Sequence, residues 1–328
     1  MSAGLVLRCA VGGVLMGLAN LVPGISGGTM LLAAGVYPEF VNSVAAITTL
    51  RRQLRPWLIV AFVAVPAVLA IGLLAGTVRD TVLVHRWIAY SLFIGLTLGG
   101  VPLLWRMIRP LRLNAFIGCA IALILMIALV MMQQNSPAAT EGGGGVAGLF
   151  IAAFIGSTAM VLPGVSGGYL LLLMGQYVAV LDAISTFTES LRSGDVSLIA
   201  SAAVPILAIG VGFALGVVVI SNLMRWLLRR HEQTTLGCLL GLLVGAVFGL
   251  WPFREAVAPN PGDVIRGVVV ETPEAALDIP LKYWPTEHFT PGIGQILISV
   301  ALVVLGFGIC WGIGLIGRDE PSTETEGS

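Results

Sequence analysis

The stretch "NLVPGISGG", Asn20 to Gly28, lies inside a run from Cys9 to Pro38 that holds no charged residue. A run that apolar has the length of a membrane helix. Its middle nevertheless carries a proline and three glycines, the poorest helix formers available. The same contradiction returns at "MVLPGVSGG", Met160 to Gly168, inside an uncharged run from Gly142 to Leu181. Two breaks of nearly the same wording, each in a greasy segment, govern how the rest of the chain is read.

Of the 328 residues, 57% are hydrophobic and 10% charged, and the mean hydropathy is +0.98. That is the composition of an integral membrane protein. Six further stretches are long and apolar enough to cross a bilayer: 56–78, 87–105, 113–133, 196–224, 233–253 and 291–316. The seven tryptophans (57, 87, 105, 226, 251, 284 and 311) fall at or near the ends of such runs, as an interfacial belt requires. The net charge is zero, which gives no basis for a nucleic-acid partner. Cys9, Cys119, Cys238 and Cys310 read as small buried hydrophobes without C-x-x-C spacing. No metal-ligand spacing appears, His85, His231 and His288 all read as loop residues, and no cofactor is expected. The chain has no phosphate-binding G-x-x-x-x-G-K-[ST] loop, so nothing in it points to ATP as a driving force. The first apolar run has no cleavage signature and reads as an uncleaved membrane segment.

The similarity between the two halves extends beyond the breaks. Gly35-Val36-Tyr37 matches Gly175-Gln176-Tyr177 at the same offset of 140 residues. "VPAVLAIG" (65–72) echoes "VPILAIG" (204–210), and "GLTLGGVPLLW" (95–105) echoes "GLLVGAVFGLW" (241–251). Four matches in the same order predict two repeats, 1–135 and 146–317, joined by the glycine-rich linker 136–145 and followed by a disordered cytoplasmic tail, 318–328. Each repeat is expected to hold a broken hairpin (5–50 and 146–185) and three transmembrane helices, in an all-α polytopic fold. Charge sets the orientation. "RRQLR" (51–55) and the loop with Arg106, Arg109 and Arg112 are basic in the first half. In the second half, the basic loop holds Arg225, Arg229 and Arg230, while the loop with Glu189, Arg192 and Asp195 and the loop 252–289 are acidic. Arg79, Asp80 and Arg86 read as a nearly balanced loop. Basic loops face the cytoplasm, so the repeats are expected upside down relative to each other, with both termini cytoplasmic. Inverted repeats with broken helices are the architecture of secondary transporters, with the site at the repeat interface.

In hydrocarbon a broken helix needs cover for its free backbone groups. Pro23, Gly24, Pro163 and Gly164 form the breaks. Beyond each, the next helix is expected to begin with free N–H groups, an anion site without any basic residue. The expected phosphate-binding residues are Ser26, Gly27, Gly28 and Thr29 at the first break and Ser166, Gly167, Gly168 and Tyr169 at the second. Asn20 and Gln176 stand near the breaks as lining candidates, or as bonds between helices. Glu39 and Asp182 are candidates for proton or sodium coupling if they lie within the membrane, and are simply solvated if they lie at its edge. Arg8, Arg79 and Arg86 are candidates for capturing an anionic headgroup. Glycine and serine also serve as close-packing residues between membrane helices, which is the competing reading of both motifs.

The paired "VPGISGGT" (22–29) and "LPGVSGGY" (162–169), each followed by G-x-Y, resemble the bacterial polyprenyl-phosphate (undecaprenyl-phosphate) transporter family, the PopT-type proteins long catalogued as a domain of unknown function. The resemblance covers roughly residues 5–316. It implies a bacterial inner-membrane carrier, not an enzyme, that returns undecaprenyl phosphate from the outer to the cytoplasmic leaflet for carrier-lipid recycling. The lipid, with H+ or Na+ as coupling ion, is the implied partner, and a homo-oligomer is compatible with the sequence. Two other classes stand beside this one: a carrier or channel for a small water-soluble anion, and a membrane lipid-phosphate enzyme. The last would need a nucleophile or metal with acid/base partners, and the spans contain no histidine or paired carboxylates.

Overall fold

A computed structural model describes residues 1–315 apart from 23–24, 49–52, 136–144, 263, 266–267, 271, 273, 275, 277–278 and 280–283; it also leaves aside the side chains of 75–84, 133–135, 169, 172–173, 264–265, 268–269, 286 and 314–315. Of the expected linker only Gly145 is therefore described, and the tail 318–328 lies outside the described residues.

The described chain is overwhelmingly helical. α1 (Ala3–Leu21) runs to the first break and is followed by the short α2 (Gly27–Ala33) and by α3 (Tyr37–Thr48), which leaves α2 at an angle of 117°. Next come α4 (Leu54–Val84), α5 (Arg86–Gly99), α6 (Val101–Ile108) and α7 (Leu113–Asn135). The second half repeats the order with α8 (Gly145–Val161), α9 (Gly167–Leu173), α10 (Tyr177–Ser193), α11 (Val196–Arg230), α12 (Glu232–Gly249) and α13 (Ile293–Leu315). Seven helical segments are long and apolar enough to span a membrane: Ala3–Leu21, Leu54–Leu74, Arg86–Ile108, Leu113–Met132, Val196–Arg230, Glu232–Gly249 and Ile293–Ile313. The chain is an all-α polytopic membrane protein, and each of the six spans read outside the broken runs has its helix.

Two details depart from the sequence reading. α4 continues as helix to Val84, so Arg79 and Asp80 stand on its last turns and not in a loop. The apolar-and-small run "AIGLLAGTV" offers no breaker that outweighs the helix already growing through it. The acidic loop after α12 carries two small antiparallel pairs. β1 (Arg254–Ala256) pairs with β4 (Thr286–His288), and β2 (Val264–Ile265) pairs with β3 (Val268–Val269). β1 and β4 bring together the two ends of this long loop, where it leaves α12 and enters α13.

The helices at each break correspond residue for residue. α1 and α8 end 140 positions apart, as α2 and α9 begin. The turn after α2 is closed by Ala34 N–H to Met30 O and Val36 N–H to Leu31 O; the turn after α9 is closed by Met174 N–H to Leu170 O and Gln176 N–H to Leu171 O. Gly35 and Gly175 hold φ of 68° and 67° there, a left-handed conformation that glycine reaches without steric cost. Packing corresponds as well: α1 lies on α4 as α8 lies on α11, while α5 packs on α13 and α12 on α7.

Two crossings, α5 on α13 and α12 on α7, depend on glycine. A Cβ at Gly95 would run into the backbone of Val303, and one at Gly241 into that of Cys119; Gly99 and Gly245, one turn further on, meet Cys310 and Met126. Association of helices in lipid rests on such close approach, since lipid tails are as apolar as the side chains. The outward faces of α4, α7, α11 and α13 are apolar and exposed, with Leu73, Leu113, Val196 and Ile293 each more than 70% exposed.

Gly95→Ala and Gly241→Ala are expected to cost about 1–3 kcal/mol each, read as a lowered melting temperature in detergent. Gly210→Ala and Gly308→Ala, where nothing lies within 4 Å of the added carbon, should change stability by less than about 0.5 kcal/mol. Equal effects in the two sets would contradict the crossings.

Candidate functional site

The two breaks touch each other. Ser26 stands in extended conformation at the start of α2 (φ −97°, ψ 128°), the position at which a serine normally caps its own helix. Its hydroxyl makes no such bond and donates across to the carbonyl of Leu162, 2.7 Å away. In return, the backbone N–H of Gly164 donates to the Thr29 hydroxyl at 2.8 Å. Gly28 lies so close to Val161 that a Cβ would run into the carbonyl of that residue. Each break thus supplies part of what the other lacks, as an interrupted backbone in hydrocarbon demands.

The two sides of this contact are not equally covered. Ile25, Ser26, Gly27, Gly28, Thr29 and Met30 are all buried, and Ser26 and Thr29 are 3% and 2% exposed. At the second break Pro163 and Gly164 are buried, Val165, Ser166 and Gly167 are half-buried, and Gly168 is exposed. Gly164, at φ +88°, lies against the carbonyl of Leu242 on α12, and Gly167 lies against Gly156 on α8. The helices that follow show the same inequality. α3 is held between α4 and α11, with Asn222 Nδ2 donating to the Thr48 hydroxyl at 3.1 Å, whereas α10 rests on α11 and leaves Leu181, Ile184 and Leu191 exposed.

Of the expected phosphate-binding residues, the structure brings Ser26, Gly28 and Thr29 against the second break at Val161, Leu162 and Gly164. Gly27 packs under Asn20, whose side-chain oxygen and nitrogen would each lie 3.1 Å from a Cβ there. Ser166, Gly167 and Gly168 line the second break. Pro23 and Gly24 lie outside the described residues, as does the side chain of Tyr169. Gln176 is buried and faces Gly148 on α8. The partners that sequence reasoning missed are backbone groups, the Leu162 carbonyl and the Gly164 N–H. No side-chain pattern announces these; only the requirement that a broken helix be satisfied points toward them.

The two carboxylates separate. Glu39, in the first turn of α3, is half-buried, and its Oε2 is buried with no hydrogen-bond partner among the described residues. Asp182 is exposed on α10. Among the arginines, Arg8 is half-buried against Gly35, with no partner for its Nε among the described residues. Arg79 is on α4 with its side chain outside the described atoms. Arg86 opens α5 and stacks over the Tyr90 ring, 4.4 Å from its centroid. No group of three or more metal-ligating side chains occurs among the described residues.

Such an arrangement offers hydroxyls and N–H groups to an anion and offers no nucleophile activated by a base. α2 and α9 have seven residues each, so individual donors at the breaks, more than long dipoles, would hold a ligand there.

Comparison with known proteins places these features. A polyprenyl-phosphate transporter of Vibrio cholerae is 28% identical over 262 residues, covering 75% of this chain and 78% of that protein. One of Staphylococcus aureus is 29% identical over 248 residues, covering 73% of this chain and 84% of its own length. No solved structure matches. The family model described as undecaprenyl phosphate translocase-like matches residues 16–261, a region that holds both breaks. The chain belongs to the undecaprenyl phosphate translocase-like family.

Proposed function

We propose that this chain is a secondary transporter that carries undecaprenyl phosphate from the outer to the cytoplasmic leaflet of the bacterial inner membrane, passing the headgroup through the point where its two breaks meet. The relatives in V. cholerae and S. aureus are named polyprenyl-phosphate transporters, not enzymes. The observation that carries the reading is the reciprocal bonding of Ser26 to Leu162 and of Gly164 to Thr29. Those donors serve the protein itself while no anion is present. A phosphate arriving between the breaks takes over the Ser26 and Thr29 hydroxyls, the Gly164 N–H and the first N–H groups of α2 and α9. Unassisted, an ionised phosphate in hydrocarbon faces a Born cost of tens of kcal/mol. The isoprenoid tail needs no help, since it stays in lipid throughout.

Residues 1–135 and 146–317 act in this reading as inverted repeats. Support comes from the matched turns at Gly35 and Gly175 and from the exchange of partners, α5 on α13 and α12 on α7. The unequal cover of the breaks fits one of two alternating states: the first hairpin clasped by α4 and α11, the second loosely held. In the opposite state the roles reverse, with α10 docked and α3 released, which is how a repeat pair exposes one site to alternate sides. Both termini and the Arg106–Arg112 loop face the cytoplasm, and the loop carrying β1 to β4 faces outward. Glu39 is the better coupling carboxylate, because it is half-buried with an oxygen unpartnered among the described residues while Asp182 is exposed.

Three outcomes test the proposal. In proteoliposomes, wild type exchanges undecaprenyl phosphate between leaflets, and Ser26→Ala with Thr29→Val slows exchange by roughly tenfold or more, the value of hydrogen bonds to a charged group; a wild-type rate in the double variant would remove the breaks from the pathway. Glu39→Gln leaves exchange measurable but insensitive to an imposed proton or sodium gradient, whereas an undiminished gradient response would assign coupling elsewhere. In intact spheroplasts, a membrane-impermeant maleimide labels Glu255→Cys and spares Leu111→Cys; the reverse pattern would invert the topology.

A further inference from the structure

We infer that Arg86 and Arg254 form a second phosphate-binding site, at the face capped by β1 and β4, which takes a phosphate monoester whose apolar tail lies along Trp251 and Phe253. Arg86 stands at the first position of α5, and Arg254 stands on β1, which packs against α5. The Arg86 guanidinium is braced on the face of Tyr90, itself 1% exposed. The Nε atoms of both arginines are buried and have no hydrogen-bond partner among the described residues. Burial first, and the Arg86 charge second, hold the Arg254 guanidinium below its ordinary value, with Tyr90 acting in the opposite direction. The nearest acidic residues on the strands, Glu255 and Glu287, face each other across β1 and β4 and are exposed. α5 adds a third positive element, since His85 at its cap position makes no side-chain bond to the free N–H groups of the first turn.

Two half-buried guanidiniums on packed elements, with no partner for either Nε among the described residues, call for an anion with several oxygens, which a phosphate monoester supplies in the fork geometry arginine prefers. Next to Arg254 and its strand partner His288 in the chain, Trp251, Phe253 and Phe289 form an edge-to-face series with ring centroids 5.8 Å and 6.0 Å apart. Trp251 is half exposed at the end of α12, where an interfacial aromatic meets lipid tails. A phosphate on the arginines and a chain on this aromatic wall describe an amphiphile arriving from the membrane side. The inference rests on the transport reading for the identity of that amphiphile and not for the existence of the site. Within that reading the site collects headgroups on the outer face before they reach the breaks.

The test measures binding of farnesyl phosphate, inorganic phosphate and farnesol to the purified full chain in detergent micelles. Wild type is expected to bind farnesyl phosphate and to ignore farnesol, and Arg86→Gln with Arg254→Gln to weaken farnesyl phosphate by about tenfold or more, as loss of charge-assisted bonds predicts. Arg86→Lys with Arg254→Lys keeps the charge and loses the fork, so its binding should fall between that of wild type and that of the glutamine pair. The Ser26→Ala, Thr29→Val protein should lose exchange yet still bind farnesyl phosphate, so failure at the breaks and failure at the arginines are read separately. Inorganic phosphate binding as tightly as farnesyl phosphate supports the site and assigns it to the free anion. Undiminished farnesyl phosphate binding in the glutamine pair overturns the inference. So does an equal loss in the lysine and glutamine pairs together with a fallen melting temperature, which would make the arginines packing residues.

Discussion

A backbone interrupted in hydrocarbon must find hydrogen-bond partners inside the protein, and here the partner of each interruption is the other one. Ser26 and Thr29 of the first break hold Leu162 and Gly164 of the second. Everything else follows from keeping those two points together. The start of α2 must lie against the end of α8, and glycine must stand where the chains come closest, as Gly28 does against Val161. A single break of this kind would be a defect in a membrane helix. Two breaks that complete one another make a polar point inside an apolar body, and a polar point is what a lipid with a phosphate headgroup needs in order to cross.

Rigidity and looseness are divided accordingly. The crossings of α5 on α13 and α7 on α12 are set by glycine against backbone at Gly95 and Gly241, and such contacts leave no room to slide. The second hairpin is held differently. α10 has apolar residues facing outward and lies against α11, while its counterpart α3 is enclosed on two sides. In the proposed transport cycle, the tightly packed crossings serve as the frame and the partly docked hairpin as the moving element.

Much of this was legible in the sequence because membrane helices announce themselves by length and apolar content. The spans from Leu54 to Leu74 and from Val196 to Arg230, and the turns at Gly35 and Gly175, stand where hydropathy and the 140-residue offset put them. Less was legible at the site. Ser26 and Thr29 were readable as polar residues beside a break, but their partners are backbone atoms, and a carbonyl carries no signature in a sequence. The end of α4 was misread because Arg79 and Asp80 look like a loop, whereas charged residues on a final helical turn reach water without breaking the helix. Arg254 was passed over because it sits in a long loop. Only folding of that loop into β1 and β4 packs its strand against α5, the helix that Arg86 opens.

The central claim is that the headgroup passes between the breaks, so the breaks must part during each cycle. The direct measurement is exchange in proteoliposomes by a Ser26→Cys, Leu162→Cys protein, with Cys119 and Cys238 replaced by alanine, before and after joining the pair with a short bifunctional thiosulfonate. The account predicts exchange by the unjoined protein, slower than wild type for loss of the Ser26 hydroxyl, arrest when it is joined, and recovery to the unjoined rate on reduction. Exchange at an unchanged rate by fully joined protein would contradict it, since the two breaks would then never have needed to separate.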